Sequence, residues 1–255
     1  MIKFFRKIRQ RLLSENRLGR YLIYAIGEII LVVIGILIAL QLNIEKEKIN
    51  DRKVEIVHLN NLHQDLTQEV IDLEKIVKFK TDQSRFARMV IEYIDGERTQ
   101  DLDSLNMAQW ASFIWHTHSP NNNSFVELKS SGKLSTIQDN NIRQLLLDID
   151  SRYTGLHGIE EHMKFEYHEF LYQKNINTID YELMFGAFKK KGKELSRNDS
   201  LLLIQNRAEI RGDKRLKNAY FLAFTNNKRH ASRCEGILEK VHETIALIEQ
   251  DLNKE

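Results

Sequence analysis

The chain has 255 residues, 42% hydrophobic and 29% charged, with a formal net charge of +2. Residues 1–43 hold seven of its 38 Lys/Arg and two of its 36 Asp/Glu, leaving 31 basic and 34 acidic residues beyond them. That mildly acidic remainder argues against a nucleic-acid-binding body, which carries a basic stripe, and the single cysteine, Cys234, excludes an internal disulfide.

In residues 1–20, Phe4, Phe5, Ile8, Leu12 and Leu13 alternate with basic residues. This amphipathic pattern suits a segment lying at a headgroup surface; the alternative is a disordered, positively charged tail. Residues 21–43 contain the apolar run Tyr21–Leu42, with Glu28 as its one carboxylate. About 20 helical residues cross the ~30 Å hydrocarbon layer, so a transmembrane helix is expected. Lys and Arg collect on the cytoplasmic side of a span. Residues 1–20 are therefore expected in the cytoplasm and residues 44–255 outside, in the periplasm of a bacterium. Ile29–Leu40 would also fit the apolar region of a cleaved signal peptide. No A-x-A-like site follows in Ile38-Ala39-Leu40-Gln41-Leu42-Asn43, so a retained signal anchor is expected.

Beyond the span, Leu59, Leu62, Leu66, Val70, Leu73 and Val77 are spaced by 3, 4, 4, 3 and 4. This is helical spacing close to a coiled-coil seam. It predicts one helix from about 44 to Ile94, continuous with the span and ended by Asp95-Gly96. A second helix is predicted over 103–116. His118-Ser119-Pro120-Asn121-Asn122-Asn123 reads as a loop. Ser124 and Glu127 have capping-box spacing for a short helix that stops at Gly132. Asp139 or Asn140 should cap the next helix, which runs through Tyr153 towards Tyr172, with a bend near Gly155 or Gly158. Residues 178–188 predict a short helix, Lys189–Lys193 a solvated link, 199–210 another helix and 214–252 a long final one. One proline and eleven glycines in the whole chain suit a mostly helical protein, and no stretch reads as a strand. The expected fold is all-α: an N-terminal transmembrane helix, then a helical bundle with coiled-coil character, its two longest helices antiparallel.

The stretch KFFRKIRQRLLSENRLGRYLIYAIGEIILVVIGILIALQLN, residues 3–43, resembles the start of an uncharacterised family of bacterial, mainly Bacteroidetes, single-span membrane proteins. FVELKSSGKLSTIQDNNIR, Phe125–Arg143, is similar to a second block of that family. Members often carry a Trp shortly after the span, where this chain has Ile44-Glu45. The resemblance implies an architecture and a topology. It implies no mechanism, because the family has no assigned activity.

Glu28, Gly35 and Ala39 share one helical stripe, and Gly35-x-x-x-Ala39 is a small-x-x-x-small pair. The stripe reads either as an interface within the membrane or as a boundary carboxylate snorkelling to headgroups beside Arg17 or Arg20. Glu55–His58 and Glu239–His242 have the Glu-x-x-His spacing of di-metal bundles, with Asp148, Glu161 or Glu166 as further carboxylates. Two such spacings arise readily by chance, so no metal site and no cofactor are expected. His116 and His118 read as solvated loop residues, Arg211-Gly212-Asp213 as a helix cap, and Trp110, Phe113, Trp115 and Phe125 as core. There is no phosphate loop, no G-x-S-x-G and no Cys–His pair at a recognisable spacing, so no catalytic residue is assigned.

The expected function is a non-enzymatic scaffold or adaptor held in the inner membrane and acting through helix–helix contacts. Its partners would be membrane lipid, a second copy or another membrane protein, and not nucleic acid. One alternative is a periplasmic sensing domain signalling to a separate partner. A metal-dependent bundle enzyme is the other.

Overall fold

In the computed structural model the chain is described at residues 18–97, 102–112, 114–178, 181 and 208–254. The tail 1–17, Phe113, most of the helix expected over 178–188, the Lys189–Lys193 link and residues 199–207 lie outside these. Among the described residues the structure is helical, with no strand. Helix α1 spans Leu18–Ile94, α2 Leu102–Ser112, α3 Asn123–Ser130, α4 Asn140–Glu166, α5 Gln173–Thr178 and α6 Lys214–Leu252. A 3-10 turn at Lys133–Thr136 precedes α4, and a π-helical segment at Tyr167–Tyr172 joins α4 to α5.

The chain divides into two units, residues 1–57 and residues 58–255. In the first, the large apolar side chains from Leu22 to Leu42 are exposed, reaching 74% at Ile23 and Leu31. An 18-residue window there has a mean hydropathy of 2.7, with none of it buried. By length and composition this is a helix able to cross a membrane. After Leu42 the surface becomes polar: Glu45 pairs with Lys48 at 3.1 Å and accepts from Gln41 at 3.2 Å, both at helical spacing.

The second unit is a helical bundle. Between Gly35 and Gly96 the sequence has neither glycine nor proline, so nothing local interrupts α1. It stops at Gly96, whose φ of +80° suits glycine, and where an added Cβ would sit 3.0 Å from Arg211 Nη2. Helix α6 packs antiparallel to α1. Asp95 pairs with Lys217 at 2.7 Å, the Ser84 hydroxyl donates to the Phe224 carbonyl at 3.0 Å, and His63 pairs with Glu249 at 3.0 Å. As one helix advances the other retreats, which is the arrangement expected from sequence. The amide of Gly212, just before α6, donates to the Ile94 carbonyl at 3.2 Å and satisfies the C-terminus of α1.

The predicted stripe does form core. Leu59, Leu62, Leu66 and Leu73 are buried, and Val70 and Val77 pack at the margin. This first apolar cluster also takes Phe125 and Leu128 from α3, Ile142 to Leu156 from α4 and Cys234 to Ile248 from α6. A second cluster takes Ala87 to Ile94 of α1, Leu105 and Ala108 of α2, Met163 to Leu171 around the π-helical segment, and Leu216 to Ala223 of α6.

Asp139 caps α4, accepting from the amides of Asn141 at 2.7 Å and Ile142 at 3.4 Å; Asp213 caps α6, accepting from Arg215 and Leu216 at 2.9 and 3.0 Å. The capping box at Ser124 does not form. Ser124 lies inside α3, and its amide donates at 2.8 Å to Asp65 of α1, so a distant carboxylate replaces the local one. Helix α4 runs on through Gly155 and Gly158.

Candidate functional site

The two apolar clusters are separated by a polar layer. On α1, Ile76 belongs to the first cluster and Ala87 to the second, and Lys80, Gln83 and Ser84 between them are buried. On α4, Glu160 lies between Leu156 and Met163; on α6, Asn227 and His230 lie between Ala223 and Cys234. Each helix therefore switches from apolar to polar at the same level of the bundle. Buried polar groups are costly unless paired, and the pairing here is extensive.

Two carboxylate–imidazole pairs organise it. Glu69 is 1% exposed and accepts from His118 Nε2 at 2.6 Å, from the Asn121 amide at 2.6 Å and from the Tyr153 hydroxyl. Glu160 accepts from His230 Nε2 at 2.9 Å and from the His118 amide at 3.4 Å. The exposed face of α4 adds His157, whose Nδ1 lies 3.9 Å from Glu160. Because Nε2 of His230 donates to a carboxylate, Nδ1 of the neutral ring is an acceptor. It lies 3.5 Å from Cys234 Sγ, one helical turn on.

Burial pushes the Cys234 thiol up to about 12, with Glu160 adding to the effect. Burial also lowers the Lys80 ammonium to about 8, against the attraction of Glu160. The His230 ring is lowered by burial, which outweighs its bond to Glu160. For Glu160, burial acts upwards, but the His230 bond, the His118 amide and Lys80 together hold it below the ordinary carboxylate value. Tyr153 is raised, first by burial and then by Glu69.

Cys234, His230 and Glu160 have the connectivity of a nucleophile, a base and an orienting carboxylate. The thiol, however, is fully buried and pushed far from its thiolate form, so here it serves as a hydrogen-bond donor rather than a nucleophile.

The segment between α2 and α3 crosses this layer as a strap. Gln83 Nε2 donates to the carbonyls of Ala111 at 3.0 Å and Ile114 at 2.7 Å. Lys80 Nζ lies 5.1 Å from the Trp115 ring centre, and Phe79 meets the His116 ring edge-on at 5.8 Å. Glu69 then holds His118 and Asn121, Asp72 accepts from Asn121 Nδ2 at 2.9 Å, and Asp65 accepts the Ser124 amide. The contacts step back along α1 as the strap advances.

Several sequence expectations change here. His118 is 5% exposed at its side chain and not solvated, whereas His116 is exposed as expected. The His230–Cys234 contact comes from a four-residue spacing that sequence reading passed over. Glu239 and His242 face solvent, and Glu55 pairs with Arg52 at 2.8 Å. Asp148 pairs with Arg152, Glu161 with Lys164, and Glu166 with His162. Among the described residues no three His, Cys, Asp or Glu are grouped to hold a metal ion. Trp110, Trp115 and Phe125 join the apolar clusters. In the first unit, Gly35 and Ala39 are exposed, Glu28 is half-buried, and a Cβ added at Gly35 would meet nothing within 4 Å.

The fold and this layer define an all-α protein with, among the described residues, one helix apolar enough to span a membrane and a bundle whose core holds buried carboxylate–imidazole pairs. A family profile described as a family of unknown function (DUF6090) matches residues 28–191, and the chain belongs to that family. No curated protein and no solved structure matches the chain.

Proposed function

We propose that the chain is a single-span bacterial inner-membrane protein, with residues 1–20 cytoplasmic and the helical bundle periplasmic, that works as a non-enzymatic scaffold or adaptor through helix–helix contacts. The observation that carries this reading is the run of exposed large apolar side chains from Leu22 to Leu42. Each is worth about 1.5–3 kcal/mol when removed from water, and lipid is the solvent that removes them all. The basic excess before the span supports the orientation. The exposed Gly35–Ala39 stripe supports contacts with another helix.

Topology is tested with single cysteines at Ser14 and Lys254 in a Cys234→Ala background. A membrane-impermeant maleimide should reach the Lys254→Cys thiol in permeabilised-envelope cells and not the Ser14→Cys thiol. The reverse pattern overturns the orientation. Crosslinking in native membranes should trap a homo-oligomer or a defined partner, and Glu28→Leu should weaken it. Strict monomers with no crosslinked partner refute the scaffold.

The alternative of a periplasmic sensing domain is favoured by one observation, the sealed layer of ionisable groups.

A further inference from the structure

From Lys214 to Cys234, helix α6 has six basic residues and no carboxylate. Lys217 pairs with Asp95, while Lys228, Arg229 and Arg233 are exposed and meet no carboxylate among the described residues. Beside this stretch a groove of about 810 Å³ opens between α1 and α6. We propose that the groove is a docking site for an acidic amphipathic helix of a partner protein.

The groove has an apolar floor and a basic rim. Met89, Phe224 and Ala231 form the floor, and the half-exposed Phe221 meets Phe224 ring to ring at 6.2 Å. Arg85 and Arg88 line the α1 side and Lys228 the α6 side. Asp82 lies 3.0 Å from Arg85 and Glu92 3.5 Å from Arg88, so carboxylates of their own helix orient both guanidiniums. A guanidinium has five N–H donors, and such a pair leaves most of them for a ligand. Glu92 and Glu235 stand at opposite ends of the groove. Met, Phe and Arg are the residue types enriched where protein surfaces meet. From Thr81 to Glu92 the groove follows α1 for roughly 16 Å, about three helical turns. The described residues offer no sheet edge to extend, so a peptide laid between these two helices docks as a helix, with apolar anchors at i, i+3, i+4 and i+7. Its carboxylates then fall on both flanks, towards Arg85 and Arg88 on one side and Lys228 on the other.

A second copy is the wrong occupant. Past Cys234 the sign of α6 reverses, with Glu235, Glu239, Glu243, Glu249 and Asp251. Copies related by an axis along the membrane normal meet level with level, basic half against basic half, and like charges repel. A lipid surface is flat, and it leaves the recessed floor of Met89 and Phe224 empty. The docking site supplies the adaptor reading with its partner and rests on that reading. Absent crosslinks count against the adaptor and absent peptide binding against the docking site, and the two are measured separately.

Fluorescence anisotropy on the full chain in phosphatidylcholine nanodiscs tests the site. The probe is a labelled, stapled helix of about 14 residues, stapled because a free helix that short is marginal in water. It carries Leu at the i, i+3, i+4 and i+7 anchors and Glu on both flanks. It should bind at micromolar concentrations, and more weakly as salt is raised. A peptide with Gln for every Glu, and one of the same composition with its anchors scrambled, should each bind at least about tenfold more weakly. Lys228→Glu should weaken binding about fivefold to tenfold, an attraction exchanged for a repulsion at an exposed pair. A peptide with Lys on that flank should restore it. Phe221→Ala should weaken binding about fivefold or more. Lys228 and Phe221 are exposed, so both variants should keep the parent's circular dichroism. No binding of the acidic peptide, equal binding of the scrambled one, or full affinity in either variant overturns the proposal. So do phosphatidylglycerol vesicles that displace the peptide, an outcome that assigns the face to an anionic lipid surface.

Discussion

Truncating Glu69 to alanine should cost the bundle more than any single surface change. The side chain is 1% exposed and accepts from His118, from the Asn121 amide and from Tyr153. A net hydrogen bond to a charged group is worth about 1.5–3 kcal/mol, and each donor left buried without a partner costs about 1–3 kcal/mol. The three terms overlap, because freed donors find partial substitutes. Breaking a buried charge pair from one side typically costs about 3–5 kcal/mol in total, and that is the figure expected here. Glu69→Gln keeps one acceptor oxygen but points an amide N–H at a donor, so about half that loss is expected. The assay is urea unfolding of the full chain in detergent, followed by the fluorescence of Trp110 and Trp115. Both rings pack against the second apolar cluster, Trp110 from α2 and Trp115 from the strap. A double-mutant cycle with Tyr153→Phe should show coupling of about 1 kcal/mol or more, as neighbours in one network do. Losses below about 1 kcal/mol for Glu69→Ala, or additivity within about 0.3 kcal/mol, would show that the layer is not a connected network.

Three other outcomes follow from named residues. Lys80 is held near 8 by burial, so the folded state sheds its proton before the unfolded state does. Stability should therefore rise by about 1 kcal/mol between about pH 8 and about pH 9 in the parent, and this rise should vanish in Lys80→Met, as read by urea midpoints. The Cys234 thiol is buried and raised to about 12, so a maleimide should leave the native protein unlabelled for hours and label it at once in denaturing detergent; rapid native labelling would place that thiol at a surface. Gly132 has a φ of +70° and open space at its Cβ position, so Gly132→Ala should cost about 1 kcal/mol through the backbone alone, and a gain on thermal melting would contradict that.

Periodicity made the long elements legible. The 3-4 spacing from Leu59 to Val77 marks the core face of α1, and the apolar positions from Leu216 to Leu252 mark α6, because burial of a helical stripe leaves a period in sequence. Local caps were legible too at Asp139 and Asp213, whose acceptors and amides lie within three residues. The polar layer was not. Glu69, His118, Glu160 and His230 meet partners 42 to 84 residues away across the bundle, and their pairing depends on which helices meet. A charged residue on a mixed helix face reads as solvated until a neighbour covers it. The one local sign was positional: Lys80 and Gln83 fall where the apolar stripe of α1 would otherwise continue. Ser124 failed for the opposite reason. Its capping partner was sought three residues ahead, while Asp65 on another helix took the amide.

The polar layer also bears on register. Apolar side chains are interchangeable partners, so a bundle held by leucines alone tolerates a slide of one helix past another at modest cost. A layer of directional pairs does not. Moving α6 by one turn along α1 and α4 would carry His230 away from Glu160, leaving a buried imidazole without its carboxylate and a buried carboxylate with one donor fewer, a cost of about 1–3 kcal/mol for each group left unsatisfied. The pairs at Lys217–Asp95 and His63–Glu249 lie near the two ends of the same helix pair, and being exposed they contribute little each. Alignment of α1 with α6 is therefore set at the middle, by the layer, and not at the ends.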